Sequence, residues 1–131
     1  QGEPVSPSHY RGKWVALDFW SPDEPSSRRD LPQWERVYGQ YRDKGLEVIS
    51  IAVCHPQTYQ MHQAEPQDSL PWAQAYVSRT LDGSPDVVSL FALYSFPTAM
   101  LIDPEGKIAF RGRSGGLFAK LEEVFAAPQT E

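Results

Sequence analysis

The residues that could carry chemistry concentrate where an apolar run gives way to an amphipathic one, in the segment FWSPDEPSSRRDLP (Phe19–Pro32). Asp23 and Glu24 stand before a predicted helix start, where unpaired backbone N–H groups and the helix dipole stabilise negative charge. Pro25 suits the first helical turn, where its missing N–H costs nothing. The segment, which includes Ser27, therefore indicates either a purely structural helix cap or a retained binding site.

Cys54 is the only cysteine, so the chain can form no internal disulfide. It ends the apolar stretch IAVC, and open α/β sheets tend to place their sites at the carboxyl ends of strands. A thiol there is reactive if it is exposed near a helix N-terminus, but solitary cysteines are more often buried and inert. His55 and His62 add metal-ligand types without any spacing rule, so we predict no metal site.

Alternating apolar and amphipathic stretches must position these residues. Trp14–Trp20 is a nearly continuous apolar run, which predicts a strand buried on both faces. Apolar residues then recur at spacings of three and four from about Ser26 to Lys44, which predicts one helix closed by Gly45. Leu46–Val53 predicts a second buried strand, and this strand-helix-strand order indicates a right-handed parallel crossover.

Shorter elements are predicted for the rest of the chain. They are a short helix near Gln57–Gln63, a strand over Trp72–Ser78, a helix over Pro85–Tyr94, a hairpin of Thr98–Asp103 with Lys107–Arg111, and a final helix from about Gly116 to Ala126. No internal repeat or Gly/Ser-rich linker separates these elements. We therefore predict that residues 1–131 form a single domain.

Composition narrows the classes of function. The chain has 12 basic and 17 acidic residues and a net charge of −5, with no basic run longer than Arg28-Arg29. We therefore expect no nucleic-acid partner. No window approaches the roughly 20 apolar residues of a membrane span, so we expect no transmembrane segment. No cofactor is predicted.

Four segments together resemble a known family: YRGKWVALDFW, FWSPDEPSSRRDLP, GLEVISIAV and SFPTAMLIDPEGKIAFRG. In this order they are similar to the thioredoxin-like fold, most closely to its TlpA-like thiol-disulfide oxidoreductase branch. The resemblance implies an α/β domain with a central mixed β-sheet flanked by helices on both faces. It also implies an extracytoplasmic or periplasmic location, either free or anchored.

The turn after the first strand departs from that family. TlpA-like proteins carry Trp-Cys-x-x-Cys there, and an alignment without gaps places the two cysteines on Glu24 and Ser27 and the tryptophan on Asp23. Disulfide exchange needs an attacking thiolate and a resolving thiol, and neither a carboxylate nor a hydroxyl can replace them. A peroxiredoxin-like site fails similarly, because Ser26–Arg29 ends without the required cysteine.

The resemblance also gives meaning to two other positions. By its spacing from Glu24, Asp18 matches the buried acid that assists proton transfer in thioredoxins, and a carboxylate in an apolar strand needs a raised pKa or a partner. Asp18 is either a leftover proton relay, a partner of Ser27, or an acid satisfied by local hydrogen bonds. Phe96-Pro97 matches the family's cis-proline, which either pairs with extended peptide or merely shapes the sheet edge.

We therefore predict a redox-inactive TlpA-like domain that binds a protein or an extended peptide. The predicted binding residues are Asp23, Glu24, Ser27, Phe96 and Pro97. The alternative is a thiol-disulfide oxidoreductase or antioxidant-type enzyme that uses Cys54 or whose active site has been substituted.

Overall fold

A five-stranded sheet forms the centre of the computed structural model, which describes residues 12–64, 70–78 and 96–126. The strands are β1 (Trp14–Trp20), β2 (Leu46–Cys54), β3 (Ala73–Ser78), β4 (Thr98–Ile102) and β5 (Ile108–Gly112). They lie in the order β3-β2-β1-β4-β5. β1, β2 and β3 are parallel, whereas β4 is antiparallel to β1 and β5 is antiparallel to β4, so the sheet is mixed.

Helices flank this sheet. In the described residues they are α1 (Leu31–Tyr41), α2 (Tyr59–Ala64) and α3 (Ser114–Ala126), with short 3-10 helices at Pro25–Arg28 and Arg42–Lys44. The arrangement confirms the predicted mixed sheet with flanking helices. None of these helices is both long and apolar enough to cross a membrane.

The larger part of the core lies on the sheet face that α1 and α3 cover. Ala16 of β1 and Val48 of β2 are buried there with Trp34 of α1 and Leu117 of α3. The rings of Trp34 and Phe118 meet edge to face with centroids 5.1 Å apart, which joins the two helices directly.

The opposite face of the sheet carries a smaller buried cluster. It contains Phe19, Val53 and Met100, and Phe96 packs against it. Side chains alternate along a strand, so β1 buries Phe19 on this face and Ala16 on the other. Burial on both faces explains why β1 and β2 are almost continuously apolar, as predicted.

The predicted helix from about Ser26 to Lys44 is wrong as a single element. α1 begins only at Leu31, after the separate 3-10 helix Pro25–Arg28. Pro32 provides the reason, because an α-helix that passed through it would lack one N–H donor and would bring the proline ring against the carbonyl four residues earlier. In the first turn of a helix, where α1 places it, proline is well tolerated.

The other predicted elements are confirmed, with shifted starts, where the structure describes them. The hairpin forms as β4 and β5, and Gly45 ends the 3-10 helix Arg42–Lys44 that follows α1, in the left-handed conformation with φ 107°. The predicted helix over Pro85–Tyr94 lies outside the described residues. The starts move from Gln57 to Tyr59, from Trp72 to Ala73 and from Gly116 to Ser114.

Candidate functional site

Three segments meet at the sheet edge where the parallel strands end. Because β1 and β2 are parallel, the turn after β1 and the chain after β2 leave the sheet side by side. β4 runs the opposite way with Thr98 paired to Phe19, so Pro97 lies at the same edge. This edge gathers residues 21–28, 55–64 and 96–97.

Glu24 and Ser27 occupy the positions that match the family's two cysteines, and their surroundings differ. Glu24 is exposed, whereas Ser27 is buried. The Ser27 hydroxyl donates a hydrogen bond to the Ser21 carbonyl at 3.0 Å and accepts one from the Ser21 N–H at 3.0 Å. Ser27 therefore acts as an internal link that closes the turn.

The predicted cap at Asp23 and Glu24 takes a different form. Glu24 precedes a 3-10 helix of only four residues, and its side chain makes no capping hydrogen bond. The backbone holds the turn instead, with the Glu24 N–H donating to Ser21 and the Ser27 N–H donating to Glu24. Because α1 starts later, these two acids do not lie at its N-terminus.

Asp23 binds the segment that follows β2. Its Oδ2 accepts the His55 backbone N–H at 2.9 Å, its Oδ1 accepts the Thr58 hydroxyl at 2.8 Å, and Oδ1 also lies 3.0 Å from His62 Nε2. Partial burial acts to raise the pKa of Asp23, but these hydrogen bonds and the charge of His62 together bring the pKa below its ordinary value. An ionised carboxylate thus connects the turn to the start of α2.

Asp18 lies behind the turn and is almost completely buried. Its Oδ2 accepts hydrogen bonds from Arg28 Nη1 at 3.0 Å and from the Ser50 hydroxyl at 2.9 Å, and Trp72 Nε1 donates to Ser50 Oγ at 2.9 Å. Burial raises the pKa of Asp18 to about 6, although Arg28 and Ser50 oppose the rise. Asp18 therefore has both a raised pKa and partners, and Ser27 forms its hydroxyl bonds with Ser21 instead.

Arg28 connects the end of the 3-10 helix Pro25–Arg28 to Asp18 and to a neighbouring aromatic ring. Its guanidinium carbon lies 3.9 Å from the centroid of the Trp20 ring, while Nη1 forms the ion pair with Asp18. Trp20 in turn meets Tyr76 of β3 edge to face at 6.3 Å. Since a guanidinium both stacks on aromatic faces and pairs with carboxylates, Arg28 joins the turn to β1 at two side chains.

Cys54 and the two histidines do not converge on a single site. Cys54 is fully buried at the end of β2, and the register places it on the same sheet face as Asp18. His62 pairs with Asp23, whereas the ring Nδ1 of His55 accepts the backbone N–H of Gln57 at 3.1 Å. Across the described residues, no three His, Cys, Asp or Glu side chains are grouped so that they could hold a metal ion.

Phe96 and Pro97 form the third part of the edge. Both are half-buried, and the peptide bond between them is cis. Phe96 packs against the cluster formed by Phe19, Val53 and Met100, so its side chain belongs to the rim of the smaller core cluster. The backbone at this position lies beside the end of β1.

Comparison with known proteins assigns the chain to a family. The model of the AhpC/TSA family matches residues 1–111. The chain belongs to the AhpC/TSA family. As a member of the AhpC/TSA family with one cysteine in 131 residues, it differs from the dithiol pattern of the TlpA-like proteins that its sequence resembles.

Curated relatives of this AhpC/TSA-family chain are named for thiol chemistry. The thiol-disulfide oxidoreductase ResA of Halalkalibacterium halodurans is 28% identical over 132 residues, which cover 95% of this chain and 67% of the relative. The ResA of Bacillus thuringiensis subsp. konkukian is 23% identical over 109 residues, covering 82% of this chain and 59% of the relative. The chain thus spans about two thirds or less of the length of these relatives.

Solved structures show the same fold. A thiol:disulfide interchange protein from Bacteroides sp. superposes with a TM-score of 0.74 at 27% identity, over 98% of this chain and 83% of that one. The thioredoxin domain of a thiol-disulfide oxidoreductase from Bacteroides vulgatus gives a TM-score of 0.69 at 28% identity, over 92% and 84% of the two chains. The AhpC/TSA-family chain therefore has the thioredoxin-like fold that its sequence predicts.

Several contacts at this edge were not predicted from the sequence. They include the bonds from Asp23 to Thr58 and His62, and the pairing of Asp18 with Arg28. A signal for Arg28 did exist, because a buried carboxylate calls for a cation and the nearest basic residues after Asp18 are Arg28 and Arg29. No local signal predicts the bonds across to α2.

Proposed function

We propose that this domain binds a protein or an extended peptide at the sheet edge and does not exchange disulfides. The observation that carries the proposal is the placement of sulfur. Glu24 and Ser27 stand at the two positions that match the family's cysteines, and the one thiol, Cys54, is fully buried. Without an accessible thiolate, a bound disulfide cannot be attacked.

The surroundings of Ser27 support this loss of redox chemistry. Its hydroxyl is buried and engaged twice with Ser21, so the turn is closed by hydrogen bonds where the family would carry a resolving thiol. Glu24 remains exposed. A carboxylate there can accept hydrogen bonds from a ligand but can form no bond to sulfur.

The groove that we propose as the binding surface lies between the turn and the residues before β4. Asp23, Glu24 and the half-buried pair Phe96-Pro97 form its accessible part, with the buried Ser27 as its supporting residue. Extended peptides commonly bind by strand addition, in which backbone hydrogen bonds supply affinity and side-chain pockets supply selectivity. A partly apolar surface next to backbone suits such a ligand, which we propose as the class of partner.

An NMR titration tests this proposal. Alkylated insulin B chain serves as an unfolded, thiol-blocked probe, added to the ¹⁵N-labelled protein. We expect the amide signals of Glu24, Ser26 and Phe96 to shift because the peptide occupies the groove. The internal control is β5, which is an outermost strand of the described sheet and exposes Ile108. Shifts confined to β5, or none at all, would contradict the proposed groove.

An enzyme that uses Cys54 is the alternative, and the names of the relatives favour it. Such an enzyme would need Cys54 to reach a substrate, which requires the end of β2 to open because the thiol has no exposed surface. Disulfide exchange that disappears in a Cys54→Ser variant would establish this alternative.

The proposed location is extracytoplasmic. Like the proposed class of partner, it is based on the resemblance to TlpA-like proteins. Fractionation of cells that produce the full-length protein tests it. Recovery with the cytoplasmic fraction would contradict it.

A further inference from the structure

Asp23 makes an unusual set of contacts for a residue of the turn. One carboxylate accepts a backbone N–H from His55 and a hydroxyl from Thr58, and it pairs with the ring of His62. All three partners belong to the segment 55–64, which follows β2 and contains α2. We refer to Asp23 with these three partners as the Asp23 clasp.

The clasp acts at the start of α2. The Thr58 N–H donates to the His55 carbonyl and the His62 N–H donates to the Thr58 carbonyl, so these residues form one hydrogen-bonded turn. α2 has only six residues, and so short a helix is not stable without tertiary contacts. Asp23 supplies contacts to both ends of this turn.

His62 is the buried member of the clasp, whereas the hydrogen bonds from Asp23 to His55 and Thr58 are exposed. His62 is 8% exposed, and a hydrogen bond to a charged group is stronger than one between neutral groups. A neutral His62 must carry its proton on Nε2 to donate to Asp23, and the protonated ring also donates from Nε2. The contact is therefore compatible with both charge states of the histidine.

We propose that Asp23 is a positioning residue, which ties the turn to the segment 55–64 and so fixes the turn as one wall of the binding groove. This inference rests on the proposed function, and it changes the role predicted for Asp23. Its carboxylate is already engaged by His55, Thr58 and His62, so the neighbouring Glu24 is the acid with more acceptor sites open to a ligand. Asp23 then influences affinity through the shape of the groove.

Asp23→Asn tests the clasp, with Glu24→Gln as the matched control. Both variants remove one negative charge from adjacent positions, but an asparagine cannot accept from the His55 N–H and from Thr58 and His62 together. We expect amide hydrogen exchange at His55 to become about tenfold faster or more in Asp23→Asn. Glu24→Gln should leave this exchange unchanged. Asp23→Ala removes every acceptor and should accelerate this exchange at least as much, so equal exchange in both Asp23 variants and wild type would overturn the clasp.

The two methionines report whether only this segment moves. Met61 lies on α2 and is 55% exposed, whereas Met100 is fully buried in β4. In ¹³C-methyl spectra of Asp23→Asn we expect the Met61 signal to move and the Met100 signal to stay. Movement of both would mean that the whole fold has changed, and it would contradict a local positioning role.

Affinity for alkylated insulin B chain tests the connection to the groove. We expect Asp23→Asn to bind about three- to tenfold more weakly than wild type. The control is Asp43→Asn, which removes an exposed charge just before β2, at the end of the parallel strands opposite the site. This variant should bind like wild type. Faster exchange with unchanged affinity would overturn the positioning role. Absence of binding by wild type would overturn the proposed function itself, while the exchange measurement would still decide the clasp.

Discussion

Asp18 has a pKa that is set by its surroundings in the folded protein. It is 1% exposed and holds Arg28 and Ser50 on the same carboxylate oxygen. The charged groups that influence it are Arg28, which favours ionisation, and Asp30, which opposes it. Burial outweighs both, so Asp18 titrates at a higher pH than an ordinary aspartate does.

The stability of the protein should therefore depend on pH through Asp18. Between its ordinary pKa of 3.8 and its pKa of about 6, the folded state binds more protons than the unfolded state. The free energy of unfolding thus falls as the pH rises through this window and levels off above it. Relative to Asp18→Asn, wild type should lose up to about 3 kcal/mol from about pH 4 to about pH 7.

Urea unfolding of both proteins across this range provides the measurement. Asp18→Asn is the suitable reference because it retains an oxygen that can accept from Ser50 and Arg28 but does not titrate. A wild-type minus variant difference that stays constant with pH would show that Asp18 has no raised pKa.

At the scale of elements, the sequence predicted strands better than it predicted helix boundaries. β1 and β2 are buried on both faces, so they appear as continuous apolar runs that need no knowledge of their neighbours. The segment from Ser26 to Lys44 has helical periodicity only from Leu31 onward, since Ser26–Asp30 contains no apolar residue, and Pro32 favours a helix that begins just before it. Hydrophobic periodicity indicates which face of a helix is buried. The start of α1 depends instead on Pro32, which has no backbone N–H to donate.

The contact between α3 and β5 gives a prediction at this scale. A Cβ on Gly116 would lie 2.7 Å from Cζ of Phe110, whereas one on Gly115 would meet nothing within 4 Å. Gly116→Ala should therefore displace the Phe110 ring or the helix, and its free energy of unfolding should be about 1–2 kcal/mol lower than that of Gly115→Ala. The neighbouring Gly115→Ala should cause no loss, because alanine is the better helix former.

Chemical denaturation of the two variants distinguishes packing from backbone effects. Both substitutions add the same methyl group to adjacent positions of α3. Equal stability of Gly115→Ala and Gly116→Ala would show that α3 does not approach β5 closely at Gly116.

At the scale of the whole molecule, the candidate site is assembled from distant parts of the chain. The sequence indicated Asp18, Glu24, Ser27 and Pro97 because a resemblance aligned them with known positions. It could not indicate that Asp23 reaches His62, since these residues are 39 positions apart and only the parallel pairing of β1 with β2 brings their segments together. Contacts of this kind require the fold.

This AhpC/TSA-family domain is proposed to keep a binding edge but to lack the thiols for disulfide exchange. Reduction of insulin disulfides tests it most directly, with wild type, Cys54→Ser and the double variant Glu24→Cys/Ser27→Cys compared in one assay. The double variant places two thiols at the family's spacing and serves as the positive control. We predict turnover by the double variant and none above background by wild type or Cys54→Ser. Turnover by wild type that disappears in Cys54→Ser would contradict the account.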